Sequence, residues 1–174
     1  MDTFILLMVL VGGVLHASWN ALVKSGGDPW LRMGIVMGVG SLFGLTFTPF
    51  VPLPNADTWA FLLLSSVVHQ IYFCGVCLGY RAGDLSHVYP IQRGIAPVLV
   101  AIGAYIFIGE KLSLQGMVGV GLICASIVSL SLYTTNTKSS RKALKLALFT
   151  GANIAVYSVI DGMAVRLSND VLTY

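Results

Sequence analysis

The sequence predicts an all-α protein, a polytopic bundle of membrane-spanning helices. Of its residues, 56% are hydrophobic and only 10% are charged, whereas ordinary soluble domains carry about 25% charged residues. The apolar residues gather in segments of roughly 20 residues, the length at which a helix crosses a bilayer core. These segments are residues 4–23, 29–51, 59–80, 88–108, 114–133 and about 145–167. We therefore expect a multi-pass protein of the cell membrane, with a bacterial inner membrane as its location.

The first helix carries a polar face that we expect inside the protein. His16 and Asn20 are four residues apart and share one side of a helix, and both are costly to expose to lipid. Trp19 and Asn20 are candidate binding residues, while His16 is a candidate for proton coupling because histidine titrates readily. A hydrogen bond between helices without a functional role is the open alternative. The segment is not a cleavable signal peptide, since Asp2 is its only preceding charge.

A capped turn and a glycine stripe mark the second helix. Asp28 is placed to cap the helix that Pro29 begins. Two pairs of glycines four residues apart follow, a spacing that lets two helix backbones approach closely. They are Gly34, Gly38, Gly40 and Gly44. We predict a helix contact along this stripe, and a loss of stability when Gly38 is replaced by leucine.

The third and fourth helices carry candidates for a binding site. His69 and Tyr72, three residues apart on the third helix, share a face, although a purely structural histidine remains an alternative. On the fourth helix, Tyr89, Arg93 and Pro97 follow one another at four-residue intervals.

The arginine is the strongest functional signal in the chain. An arginine near mid-membrane costs about 2.5–3.5 kcal/mol, and Pro97 denies the carbonyl of Arg93 its usual helical donor. A charge and an unbonded carbonyl beside Gln92 are tolerable only where they face protein or water. The alternative is that Arg93 snorkels to the membrane surface.

The fifth helix is predicted to serve packing. Ser113 is placed to cap it, and Gly116, Gly119 and Gly121 with Ala125 form a stripe of small residues. These glycines do not make a nucleotide-binding fingerprint, because no turn from a strand to a helix is present.

A polar run after the fifth helix predicts how the chain is divided. Residues 134–142 read TTNTKSSRK, the longest polar stretch of the sequence. We predict a five-helix repeat over residues 1–133, a polar linker over residues 134–144 and the first helix of a truncated second repeat over residues 145–174. That helix places Asn153, Tyr157 and Asp161 at four-residue intervals on one face. Asp161 is a second candidate for proton coupling.

Composition and motifs exclude several classes of function. The basic residues are scattered over the membrane flanks, so no nucleic-acid partner is expected. Cys74, Cys77 and Cys124 lie in apolar segments without a second ligand pair at zinc spacing, so neither a metal nor another cofactor is expected. No paired carboxylate, metalloprotease or nucleophile-elbow motif occurs, which argues against an enzyme.

Three stretches of the chain resemble the EamA-type permeases of the drug/metabolite transporter superfamily. They are residues 16–24 (HASWNALVK), 83–97 (GDLSHVYPIQRGIAP) and 108–113 (IGEKLS). The resemblance implies ten helices in two inverted five-helix repeats around a central cavity. The sixth helix also loosely repeats the first, with Tyr157 and Asp161 at the places of His16 and Asn20. We accordingly expect the chain to hold one repeat and the start of the next, and not to transport by itself.

The resemblance implies a permease that moves small metabolites, amino-acid-like or other small polar or amphipathic solutes, by alternating access. In that interpretation Arg93 holds an anionic group of the substrate as a bidentate fork. The expected substrate-binding residues are Arg93, Tyr89, Gln92, Trp19, Asn20, His69, Tyr72, Asn153 and Tyr157, with Asp161 and His16 for proton coupling. Two alternatives stay open: a small multidrug-resistance-like exporter that acts as an oligomer, and a membrane subunit that does not transport. A truncated chain would act as a dimer.

Two arguments about orientation conflict. The resemblance implies a cytoplasmic N-terminus, whereas the rule that positive loops face the cytoplasm places the N-terminus outside. One side of the membrane carries Lys24, Arg32, Arg81, Lys138, Arg141, Lys142 and Lys145, and the other carries Lys111 and Arg166. The count slightly favours an external N-terminus.

Overall fold

The computed structural model describes residues 3–109, 111–133 and 141–168, and every regular element in them is helical. The helices are α1 Thr3–Lys24, α2 Pro29–Phe47, α3 Ala56–Ala82, α4 Leu85–Gly103, α5 Leu114–Tyr133 and α6 Arg141–Ser168. A 3₁₀ turn, Thr48–Phe50, follows α2, and a π-helical turn, Ala104–Ile108, extends α4.

Five of the described helices are long and apolar enough to cross a membrane, and α5 adds a shorter apolar stretch, Leu114–Ile127. The prediction of an all-α, polytopic membrane protein is therefore confirmed. The described chain forms two compact units, unit 1 (Met1–Thr46) and unit 2 (Phe47–Tyr174).

Unit 1 is built around the turn between α1 and α2. The backbone N–H of Trp30 donates to Oδ1 of Asp28 at 3.2 Å, which confirms the predicted cap. Gly26 and Gly27 have φ values of +147° and +77°, a region that L side chains rarely adopt. Arg32 returns to this turn and donates to the Leu22 carbonyl at 2.6 Å and to the Ser25 hydroxyl at 2.9 Å. The guanidinium thereby fastens the start of α2 to the end of α1.

Within unit 1, the predicted contact along the glycine stripe of α2 is not formed. A Cβ at any of these positions would meet no heavy atom within 4 Å, which holds for Gly34, Gly38, Gly40 and Gly44. The same is true of Gly119 and Gly121 on α5. Small-residue spacing permits a close approach but does not supply the opposing helix, so neither stripe packs against a helix of its own unit at these glycines.

Unit 2 places α6 against both α3 and α4, while α5 packs on α4. Glycines lie where these helices cross. A Cβ at Gly75 would lie 2.6 Å from the Thr150 hydroxyl, and one at Gly151 would lie 2.8 Å from the carbonyl oxygen of Gln92. On the other side of α4, Gly94 receives the side chain of Ile127. Unit 2 is therefore held by close helix crossings, at glycines that spacing alone did not single out.

The sequence predicted part of the structure around the α4–α5 connection. Pro90 and Pro97 lie inside α4, and Gly109 ends the π-helical turn in the left-handed conformation with φ +74°. The N–H of Gly116 donates to the Ser113 hydroxyl at 3.2 Å, which confirms the cap of α5.

The start of α6 differs from the predicted linker. α6 begins at Arg141, so residues 141–144 are helical rather than linker, and residues 134–140 lie outside the described chain.

Candidate functional site

Aromatic side chains of α3 and α6 form the centre of the candidate site. The rings of His69 and Tyr157 stack with centroids 3.9 Å apart and planes 28° from parallel. The ring of Tyr72 meets Tyr157 edge-on at 5.7 Å, and Phe73 lies 6.2 Å from His69. Because His69 and Tyr72 are one helical turn apart, α3 presents both to the same partner. The structure thus brings His69, Tyr72 and Tyr157 together, and we call these residues with Phe73 the aromatic cluster.

The ring of His69 is anchored on its own helix. Its Nδ1 lies 3.0 Å from the Ser65 carbonyl oxygen and 3.2 Å from the Ser65 hydroxyl. A carbonyl can only accept, so Nδ1 carries the hydrogen and donates to it. In the neutral ring Nε2 is then the acceptor.

Arg93 brings a positive charge to the aromatic cluster from α4. Its side chain is half-buried and lies within electrostatic reach of the Tyr157 phenol. The phenols of Tyr72 and Tyr80 are also within electrostatic reach of Arg93, and Tyr89 acts on both of them. Phenols of α3 and α6 therefore lie within electrostatic reach of the guanidinium.

Gln92, the neighbour of Arg93, points into a different environment. It is 1% exposed, and its Nε2 donates to the hydroxyl of Tyr80 at 3.3 Å. Its Oε1 has no hydrogen-bond partner among the described residues. The backbone of Gln92 is in turn covered by Gly151 of α6. In this arrangement Gln92 links α4 to α3.

Asp161 opens onto a polar crevice between α3 and α6. This crevice has a volume of about 360 Å³ and is lined by Leu62, Ser65, Ser66, His69, Gln70, Phe73 and Asp161. Asp161 also acts electrostatically on Tyr157, one turn before it. The side chain of Asn153, one turn earlier still, donates to the Phe149 carbonyl of its own helix at 2.8 Å. The three residues of the predicted polar face of α6, Asn153, Tyr157 and Asp161, thus lie in three different surroundings.

The candidates of α1 belong to unit 1 and bond to one another along the helix. Nε1 of Trp19 donates to Nδ1 of His16 at 3.2 Å, and the two rings meet edge-on at 4.9 Å. Nδ2 of Asn20 donates to the His16 carbonyl at 2.7 Å, and Asn20 is 1% exposed. The residues of the expected polar face of α1 thus bond to one another, and their role in binding remains a prediction.

Comparison with known proteins decides the family. The sequence model of the EamA-like transporter family matches residues 3–132. The chain belongs to the EamA-like transporter family. It is also similar to an "uncharacterized transporter in cobO 3'region" of Sinorhizobium sp., with 33% identity over 76 residues. That match covers 44% of this chain and 53% of the relative, so it spans about half the length of that protein. No solved structure matches.

Membership in the EamA family agrees with the helical fold and makes this a multi-pass membrane protein of a transporter family. The family and the transporter-named relative favour a transporter over an enzyme.

Two contributors to this EamA site were missed from the sequence. Tyr80 accepts the hydrogen bond of Gln92, and Ser65 anchors His69. The signal was present, because Ser65, His69, Tyr72 and Tyr80 recur at spacings of three, four and eight residues and so share one face of α3. Of these, only His69 and Tyr72 were predicted as site residues.

Proposed function

We propose that this protein is a permease that moves small polar or amphipathic metabolites across the membrane by alternating access. The observation that carries the proposal is the half-buried side chain of Arg93 on α4, a helix that is apolar enough to span the membrane and that packs against α6. A charge at this depth is costly. The phenols of α3 and α6 within electrostatic reach of Arg93 therefore support a binding role over snorkelling to the surface.

The chemistry of the cluster supports an anionic group as the substrate's anchor. The guanidinium is always charged and matches a carboxylate or phosphate with two parallel hydrogen bonds. The phenols of Tyr72, Tyr89 and Tyr157 would supply further donors and ring surface around it. Gln92 and Asn153 would act at the edge of this pocket, and Trp19 and Asn20 of α1 complete the proposed set.

Alternating access requires that the binding elements move relative to one another. In the inverted-repeat design of many transporters the site lies between repeats. Here α6, which we assign to the second repeat, packs on α3 and α4 of the first, and the proposed anchor lies at that contact. Asp161 and His16 are the proposed proton carriers, since a carboxylate and an imidazole can both titrate between two accessible states.

The experiment compares export by cells that express the complete gene product with Arg93→Gln and Arg93→Lys variants. Cells are loaded with mixed peptides, and amino acids and small organic acids in the medium are quantified by mass spectrometry. Both variants should lose export, because lysine cannot reproduce the two-pronged contact. Arg141→Gln, which removes an exposed arginine at the start of α6, serves as the matched control and should export normally.

Two outcomes would count against the proposal. Near-normal export by Arg93→Lys at equal expression would remove Arg93 from the binding site. A medium indistinguishable from that of cells without the protein would refute transport of this class of solute.

A further inference from the structure

A cavity lies between α4 and α5, beside the connection that joins them. It has a volume of about 580 Å³. Val120 lines it from α5, and Lys111 and Ser113 line it from the connection. Its other wall belongs to α4 and the π-helical turn, with Pro97, Val100, Ala101 and Ala104. The cavity is therefore apolar along both helices and polar at one end.

The cavity runs through about one leaflet of the membrane. The span that contains α4 ends at Ile108, and Pro97 lies eleven residues before it, or about 16 Å along a helix. A bilayer core is about 30 Å thick, so Pro97 lies near its middle. Lys111, which follows the end of the span, lies near the membrane surface. The cavity thus has the position of an acyl chain that hangs from a headgroup at Lys111.

Lys111 gives the surface end of this cavity a positive charge. Its side chain is exposed, and among the described residues it is the only charged one that lines the cavity. A lysine ammonium is a compact cation that binds phosphate groups, and its carbon stem can lie along apolar surface. The charge and the apolar walls together match an anionic molecule with a long apolar chain.

A second groove, on the α6 side of α4, lacks this charge. It has a similar volume of about 500 Å³, and every described residue that lines it is apolar. Ile102, the neighbour of Ala101, is one of them. Acyl chains of any lipid can fill this groove, because nothing in its lining distinguishes one headgroup from another. The comparison of the two grooves therefore isolates the contribution of Lys111.

We infer that the cavity between α4 and α5 binds an anionic phospholipid of the surrounding bilayer, with its phosphate at Lys111 and one acyl chain reaching toward Pro97. Basic pockets between membrane helices bind anionic headgroups in this way. The lipid fills the gap between two helices that meet closely farther along, where Gly94 receives Ile127. This site is separate from the proposed substrate anchor, since Arg93 does not line it.

Two phospholipids that differ only in the headgroup test this inference. Dioleoyl phosphatidylglycerol is anionic, and dioleoyl phosphatidylcholine carries the same chains on a zwitterionic headgroup. Each is titrated into the purified complete gene product in detergent, and native mass spectrometry gives the dissociation constant of the first bound lipid. Phosphatidylglycerol should bind about fivefold more tightly, as one lysine beside an anionic headgroup predicts. Glycerol phosphate, which is the headgroup without chains, should not compete.

Substitutions of lysine locate the headgroup. Lys111→Gln should reduce the affinity for phosphatidylglycerol to that for phosphatidylcholine, whereas Lys111→Arg should keep the preference. Lys145→Gln is the matched control, because it removes an exposed lysine near the start of α6 that does not line the cavity. This variant should bind both lipids as the unaltered protein does.

Substitutions of α4 test the cavity itself. Ala101→Phe places a ring between α4 and α5 and should abolish the preference although Lys111 is kept. Ile102→Phe enlarges a side chain of the second groove and should leave the preference unchanged. The comparison of the two lipids on the unaltered protein does not depend on the folding of any variant.

Several results would overturn the inference. Equal affinity for the two lipids would show that the headgroup is not recognised. A preference that survives Lys111→Gln or Ala101→Phe would place the lipid elsewhere, and one lost equally in Lys145→Gln would reduce it to general attraction between charges. Competition by glycerol phosphate would indicate a site for free phosphate. Each of these results leaves the proposed function standing, because lipid binding is measured without transport.

Discussion

At the scale of single residues, Gln92 and Arg93 of unit 2 differ in what surrounds their side chains. Gln92 is bonded to Tyr80 and buried among helices, so its bond connects elements. Arg93 is half-buried and lies within electrostatic reach of the phenols of Tyr72 and Tyr80. Neighbours in sequence thus differ in role, because consecutive residues on a helix point about 100° apart.

The bond between Gln92 and Tyr80 predicts a measurable coupling. Tyr80→Phe and Gln92→Leu should each lower the free energy of unfolding in bicelles, and the double variant should lose less than the sum. The expected coupling is about 0.6–1.7 kcal/mol, the range found for hydrogen bonds between membrane helices. Tyr105→Phe, at a tyrosine that is 59% exposed, is the control and should change little. Strictly additive losses would show that the bond contributes nothing.

At the scale of elements, helix crossings in unit 2 depend on glycines that face a backbone or a bulky side chain. Gly151 is the tightest against α4, since an added Cβ would meet the side chain of Ile95 and the carbonyl of Gln92 at 2.8 Å. A backbone carbonyl cannot rotate out of the way as a flexible side chain can. The glycines of α2 have the spacing of a packing motif but no neighbour of this kind.

A matched pair of alanine substitutions tests this distinction. Gly151→Ala should force α4 and α6 apart and lower the free energy of unfolding by about 1–3 kcal/mol, the usual cost of overpacking. Gly38→Ala should leave it unchanged or raise it by up to about 1 kcal/mol, because alanine favours helix over glycine. Thermal unfolding in detergent measures both. A destabilised Gly38→Ala protein with an unaffected Gly151→Ala protein would reverse the assignment.

At the scale of the whole molecule, the distribution of charge bears on orientation. The basic residues at the ends of α1, α3 and α5 and at the start of α6 outnumber those on the opposite side, which favours a cytoplasmic face for that side. The resemblance to EamA permeases implies the reverse orientation. The two arguments therefore predict opposite accessibility for the segment between α5 and α6.

Orientation is tested with a cysteine at position 139. We expect Ser139→Cys, with the three native cysteines replaced, to resist a membrane-impermeant maleimide added to intact cells and to react after the cells are opened. The reason is the excess of lysine and arginine on that side. Cysteine at Lys111, on the opposite side, is the control and should react in intact cells. Labelling of position 139 from outside would establish the cytoplasmic N-terminus instead.

The sequence by itself determined the class of fold, the family and the approximate ends of the helices. The fold class and the helix ends follow from composition, the length of apolar segments and local capping, none of which depends on distant parts of the chain. The caps at Asp28 and Ser113 were read correctly for that reason. The family follows from the resemblance of residues 16–24, 83–97 and 108–113 to its members. The sequence also identified Arg93, because a charge in an apolar helix is costly wherever that helix packs.

Only the tertiary structure decided which faces meet. His69 stacks on Tyr157 because α6 packs on α3, and Gln92 reaches Tyr80 because α4 lies beside α3. The same dependence explains the glycines: spacing permits contact at Gly38 as well as at Gly151, but an opposing helix is present only at Gly151. Without a hydrophobic force to sort helices in lipid, packing between particular surfaces selects the partners, and a single helix does not carry that information.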